Sequence, residues 1–121
     1  MYNKRLPEAE LEIMLVIWES DEPVNSDYLL EKLEKNWVKP TLLNLLSRLE
    51  KRGFVKFTKN GRFNMYYSTV KKEEYLQQET TNFFKKMYGG SLKNLVANLY
   101  DGNNVTSDDL KELEEYIKGA K

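Results

Sequence analysis

Thr41, Asn44, Arg48 and Lys51 recur at helical spacing in the segment VKPTLLNLLSRLEKRG, residues 38–53. A hydroxyl, a carboxamide and two cations on one face are the groups that meet base edges and phosphates in a DNA groove. Leu42, Leu45, Leu46 and Leu49 take the opposite face and suit a core. The same pattern also describes an ordinary amphipathic helix with a solvated basic side, so the surroundings must decide. Other chemistry is poorly provided for. The 121 residues contain no Cys and no His, which removes the soft metal ligands, the disulfide option and the commonest nucleophile and general base. No nucleophile-and-base pair or phosphate loop is found among the remaining residues, so neither an enzyme nor a cofactor is expected.

The overall charge of zero conceals a strong asymmetry. Residues 1–34 carry three basic and nine acidic groups, a net of −6. Residues 35–72 carry ten basic groups against one acid, Glu50, a net of +9. Residues 73–121 return to −3, with six basic and nine acidic groups. The positive block surrounds the helix of residues 38–53, which points to a polyanionic partner. A hydrophobic fraction of 40% is too apolar for a disordered chain, and no apolar run reaches the roughly 20 residues of a membrane span. The first ten residues lack the apolar centre of a signal peptide, so a cytoplasmic location without membrane insertion is expected.

The elements that would hold this face in place read as follows. Pro7 with acids after it starts a helix that runs to about Ser20, with Leu11, Met14, Leu15 and Trp18 inward. Val24 forms a brief extended bridge, and Asn25 or Ser26 caps a second helix whose inward residues are Leu29, Leu30 and Leu33, with Asn36 as its stop. Trp37 anchors the connection, Pro40 enters the third helix at its first turn, and Gly53 closes it. The period then changes from 3.6 to 2. Residues 54–58 and 63–68 read as strands joined at Asn60-Gly61, a pair suited to a type I′ turn. Aromatics occur on both parities, so the inward face of the hairpin is left open, and core packing is the role expected of them. Three helices and then a hairpin make a winged helix-turn-helix reasonable.

The tail reads as three helices. The first runs from Lys72 to Tyr88, with Leu76, Thr80, Phe83 and Met87 in one stripe beside Phe84 and Tyr88, and ends at Gly89-Gly90. Ser91 caps the next, with Leu92, Leu95, Val96 and Leu99 apolar until Asp101-Gly102. Thr106 and Asp109 form a capping box for the last, which carries Leu110, Leu113 and Ile117. About fifty residues are too few to bury a large core alone, so these stripes imply a partner surface, most simply a second copy of the chain.

The order of these pieces resembles the penicillinase and methicillin-resistance repressor family, which also includes copper-responsive repressors. The resemblance covers nearly the whole chain. It is carried by Thr41-Leu42, Leu45-Leu46 and Arg48-Leu49, then Gly53-Phe54-Val55 and Tyr66-Tyr67-Ser68. In the tail, Asn82-Phe83, Lys86, Tyr88-Gly89-Gly90, Leu95-Val96 and Asn98 follow in order. The resemblance implies a homodimer that binds an inverted-repeat operator in double-stranded DNA and blocks transcription, a role in antibiotic resistance. It also implies a membrane sensor whose signal leads to tail cleavage, here at Asn98-Leu99. Three departures stand out. The cysteine cluster of the copper branch is absent, Leu43 and Asn44 replace an Arg and a Thr of staphylococcal-type members, and Leu99 replaces a Phe at the cleavage point.

The expected fold is therefore mainly α with a small β-hairpin: a winged helix-turn-helix over residues 1–71, then a three-helix dimerisation tail over residues 72–121. Thr41, Asn44 and Ser47 are expected at base edges. Lys39, Lys51, Lys56, Lys59 and Arg62 are expected at phosphates. Arg48 suits either DNA or an ion pair inside the domain. Leu76, Phe83, Met87, Leu92, Leu95, Val96, Leu99, Leu110, Leu113 and Ile117 are expected to dimerise. The rival reading is a winged helix that binds protein instead of DNA.

Overall fold

The computed structural model describes residues 5–120. Its elements are α1 (Glu8–Glu19), α2 (Ser26–Leu33), α3 (Lys39–Lys51), β1 (Val55–Asn60), β2 (Phe63–Ser68), α4 (Lys72–Tyr88), α5 (Leu92–Asp101) and α6 (Ser107–Gly119). The chain forms two compact units, residues 1–77 and 78–121. The division falls inside α4 instead of before it, because Tyr75 in the first turns of that helix is buried with the first unit's core.

In the first unit, Leu29 of α2, Leu42, Leu46 and Leu49 of α3, and Phe54 and Val55 close around α1. The inward row of α1 is Glu10, Ile13, Met14 and Ile17; Met14 is inward as expected, while Leu11, Leu15 and Trp18 give way to Glu10, Ile13 and Ile17. Leu15 is 40% exposed, and Leu11 and Trp18 are half-buried against the core's edge. The helix is apolar almost all round and touches α2, α3 and β2, so periodicity could not select its inward arc. Trp18 instead uses its indole N–H on Ser68 Oγ (3.0 Å) and the Val70 carbonyl (2.8 Å), tying α1 to the end of β2. The main chain of Leu6 donates to the Tyr75 hydroxyl at 2.9 Å, fixing the entry of α1.

Asn25 caps α2, its side chain accepting from Tyr28 N–H at 2.8 Å. This helix stops at Leu33, three residues before the expected Asn36, because Glu34 turns into the left-handed conformation at φ 53°. Trp37 is half-buried on the core as the anchor of the connection. Helix α3 opens with Val38 as N-cap and proline in its first turn, and closes on Gly53 at φ 86°. Gly53 N–H donates to Glu50 O (3.0 Å) and Phe54 N–H to Leu49 O (2.9 Å), the two bonds of a Schellman end.

The hairpin is antiparallel with Phe57 opposite Tyr66 and Asn60 opposite Phe63. Its loop is therefore Gly61-Arg62, and Gly61 has a positive φ of 65° while Asn60 and Arg62 do not. That fits a type II′ turn, with the glycine first, in place of the expected I′ turn at Asn60-Gly61. Val24 pairs with Tyr66 through two main-chain bonds of 2.9 and 2.7 Å, a single-residue bridge on the edge of β2. On the hairpin, Val55, Phe57 and Tyr66 turn inward, with the Phe57 and Tyr66 rings 5.4 Å apart.

In the second unit, Ser91 caps α5 by accepting from Asn94 N–H (3.2 Å). Thr106 and Asp109 form both bonds of a capping box on α6, at 3.1 and 2.8 Å. Helix α5 ends with Asn103, not a glycine, in the left-handed position at φ 63°. Neither α5 nor α6 buries a single residue fully. Between them lies an apolar cleft of about 900 Å³ lined by Val96, Tyr100, Leu110, Leu113 and Ile117.

Candidate nucleic-acid interface

Helix α3 has two faces of opposite character. Leu42, Leu46 and Leu49 are buried and Leu45 is half-buried, while Thr41, Asn44, Ser47, Arg48 and Lys51 are all exposed. The three buried leucines anchor the helix on α1, so its polar face has a fixed outward direction. A hydroxyl at Thr41 and Ser47 and the carboxamide of Asn44 offer donors and acceptors of the kind that read base edges.

The hairpin brings its tip to the same side. Arg62 lines a cleft of about 320 Å³ together with Lys39 and Leu43 of α3, Ser26 and Asp27 of α2, and Asn64. The Arg62 guanidinium lies over the Phe63 ring, 5.3 Å from its centroid, which orients the cation without neutralising it. Lys59 is exposed on the last part of β1. Lys39 pairs with Asp27 at 3.2 Å, and both are exposed, so this link between the starts of α2 and α3 contributes little energy. Lys56 goes elsewhere. It lines a separate groove of about 670 Å³ with Glu50 and Glu74.

Arg48 of α3 and Arg52, the residue that caps its C-terminus, divide the roles that the sequence left open for Arg48. Among the described residues Arg48 forms no ion pair, and its side chain is exposed. The internal pair is made by Arg52, whose Nε lies 3.5 Å from Oε1 of Glu10. Glu10 is only 1% exposed and neither carboxylate oxygen has a hydrogen-bond partner. A buried carboxylate is costly unless a cation accompanies it, and Arg52 is that cation. Sequence reasoning missed this pair, since a glutamate in the first turn of a helix is ordinarily read as a dipole partner. Leu43, off the 42/45/46/49 stripe and noted in the sequence as a departure from staphylococcal-type members, is exposed beside this face.

The residues expected to dimerise carry exposed apolar surface. Leu76, Phe83, Met87, Leu92, Leu113 and Ile117 are exposed, and Leu95, Val96, Leu99 and Leu110 are half-buried. All but Leu76 belong to the second unit. Asn98 is exposed and donates from its carboxamide to the Tyr88 hydroxyl at 2.8 Å, while Leu99 is half-buried. Among the described residues no group of His, Cys, Asp or Glu is placed to hold a metal ion, and no helix is long and apolar enough to cross a membrane.

Three helices, a hairpin bridged at its edge by Val24 and an outward polar face on α3 define a winged helix-turn-helix domain. The family model described as penicillinase repressor matches residues 6–119, and the chain belongs to that family. It is 28% identical over 123 residues to a penicillinase repressor of Bacillus licheniformis, covering 98% of this chain and 95% of that protein. It is 29% identical over 120 residues to the methicillin resistance regulatory protein MecI of Staphylococcus aureus strain N315, covering 97% and 98%. Among solved structures, the DNA-binding domain of the repressor BlaI superposes with a TM-score of 0.53 at 29% identity, covering 62% of this chain and 94% of that one. Monomeric Bacillus licheniformis BlaI in complex with the blaP half-operator gives 0.51 at 29% identity, with the same coverage. The relatives are named as repressors and regulators, not as enzymes.

The division between the arginines is testable by urea denaturation. Arg52→Ala is expected to destabilise the fold by roughly 1–3 kcal/mol, less than for a wholly buried pair because its side chain is partly in water. Arg48→Ala should stay within about 0.5 kcal/mol of wild type. Equal effects would remove the distinction.

Proposed function

We propose that this protein is a sequence-specific transcriptional repressor of the cytoplasm that binds an inverted-repeat DNA operator as a homodimer. The observation that carries the reading is the convergence of the α3 polar face and the Arg62 hairpin tip on one side of a domain whose residues 35–72 have a net charge of +9. In this reading α3 lies in the major groove and Thr41, Asn44 and Ser47 meet base edges. Arg48, Lys51, Lys59 and Arg62 meet phosphates, as does Lys39 once released from Asp27. Lys56, standing among carboxylates, adds to the field without a direct contact. The names of the relatives, penicillinase repressor and methicillin resistance regulatory protein, support a regulated gene in antibiotic resistance.

Phosphate and base contacts separate in a binding titration against salt. Arg62→Ala should weaken binding to every duplex and flatten the salt dependence, through lost counterion release. Asn44→Ala should cost roughly 1–3 kcal/mol on the operator and little on random DNA. Duplex binding that is neither tight nor salt-sensitive would favour a protein-binding winged helix instead.

The second copy would cover the tail. The support is an α5–α6 pair with no fully buried residue and an open apolar cleft between its helices. Burying such side chains is worth roughly 1.5–3 kcal/mol each. Sedimentation should give a dimer for the intact chain, and Leu113→Asp with Ile117→Asp should shift it toward monomer. A wild-type monomer at micromolar concentration would defeat this.

Relief of repression would follow from cutting Asn98-Leu99 after a membrane sensor is engaged. The cut divides α5 and detaches α6, so the two DNA-binding domains lose the advantage of binding two half-sites together. Fragments mapped after drug treatment of cells that hold the sensor should end at Asn98. Release from the operator with the chain whole would exclude cleavage.

A further inference from the structure

We propose that Leu43 is a specificity-determining residue that recognises the 5-methyl group of thymine in the operator. The inference rests on the DNA-binding reading above and deepens it. Leu43 is the one large aliphatic side chain of α3 that stays exposed, at 41%, while Leu42, Leu46 and Leu49 fill the core. Its exposed neighbours along the helix are Pro40 and the polar or charged Lys39, Thr41, Asn44 and Ser47.

A lone exposed leucine ordinarily means nothing. The position of this one is what matters. It lines the same cleft as Lys39 of α3 and Arg62 of the hairpin tip, so an apolar group shares that surface with two cations that suit phosphates. The acid lining that cleft, Asp27, is paired with Lys39 at 3.2 Å and does not leave the site negative. Duplex DNA is the polyanion that suits this surface: with α3 in the major groove, the cations are suited to phosphates and Leu43 to a base edge. An isobutyl group cannot hydrogen-bond, so among the four bases it can favour only the one presenting an apolar group in the major groove. That base is thymine, through its methyl. Asn44, next in sequence, is suited to adenine N6 and N7, so the two together would favour A·T-containing steps.

The test uses the full chain and a duplex enriched by it from a random pool. Each thymine is replaced in turn by deoxyuridine, which removes the methyl and leaves the pairing unchanged. Fluorescence anisotropy then gives Kd for wild type and Leu43→Ala. At one thymine per half-site the wild-type Kd should rise about fourfold, the ratio expected for burying one methyl-sized group. Leu43→Ala should bind the thymine and uracil duplexes equally. If Leu43→Ala does not fold, Leu43→Gln, a good helix former of similar length, decides in the same way. The proposal is overturned if no thymine methyl affects wild-type binding, or if the variant keeps the full methyl preference. In either case a duplex has been enriched and DNA binding stands. If no duplex is enriched, the DNA-binding reading fails and Leu43 recognition falls with it.

Discussion

The end of α3 is the constraint on which the DNA-binding domain depends. Gly53 takes a positive φ that an L side chain rarely adopts, so the chain reverses at once into Phe54 and β1. Three further bonds hold that reversal: Phe54 N–H to Leu49 O, Thr69 N–H to Phe54 O, both at 2.9 Å, and Thr69 Oγ1 to Gly53 O at 2.7 Å. The helix, the start of the hairpin and the residue just after it are thus locked at one point. Because Phe54 is also fully buried, rotating α3 would unpack the core and the hairpin together. A proposed reading face and a proposed wing gain a common rigid frame this way.

The charge arrangement follows the same logic of separating structure from contact. Arg52 and Arg48 are one helical turn apart, yet only Arg52 turns back to the buried carboxylate of Glu10. This pair costs desolvation and returns little net stability, but it links α1 to the end of α3 by a directional interaction where leucines alone would allow sliding. Lys35 with Glu12 at 3.0 Å and Lys39 with Asp27 do the same more weakly along the α2–α3 connection. Arg48, Lys51, Lys59 and Arg62 are exposed and take part in none of these pairs.

The tail obeys a different rule. Its helices are well specified locally, by Ser91, by the Thr106–Asp109 box and by Gly89 and Gly90 at positive φ. Local capping stabilises each helix by roughly a kcal/mol per end, which is not enough to fold fifty residues without a core. The helices α5 and α6 are accordingly capped at their ends yet bury no residue along their apolar stripes.

Much of this could be read directly from the chain. The helix of residues 39–51, its buried and exposed faces, the Gly53 end, the Asn25 cap, the Val24 bridge and all three tail helices are written in short-range patterns of period and capping. Those patterns act within about five residues, so they survive without knowledge of the fold. What they could not reach were choices between near-equal local options. Residues 13–18 are apolar without a break, and only packing against α2, α3 and β2 selected Ile13 and Ile17 over Leu15. The hairpin had aromatics on both faces until the β1–β2 register put the turn at Gly61-Arg62 and turned Val55, Phe57 and Tyr66 inward. The partner of Arg52 lies some forty residues away in sequence, and the neighbours of Leu43 lie on three elements. Such contacts depend on the global arrangement of helices, because burial and Coulomb attraction act on distance in space and leave no period in the sequence.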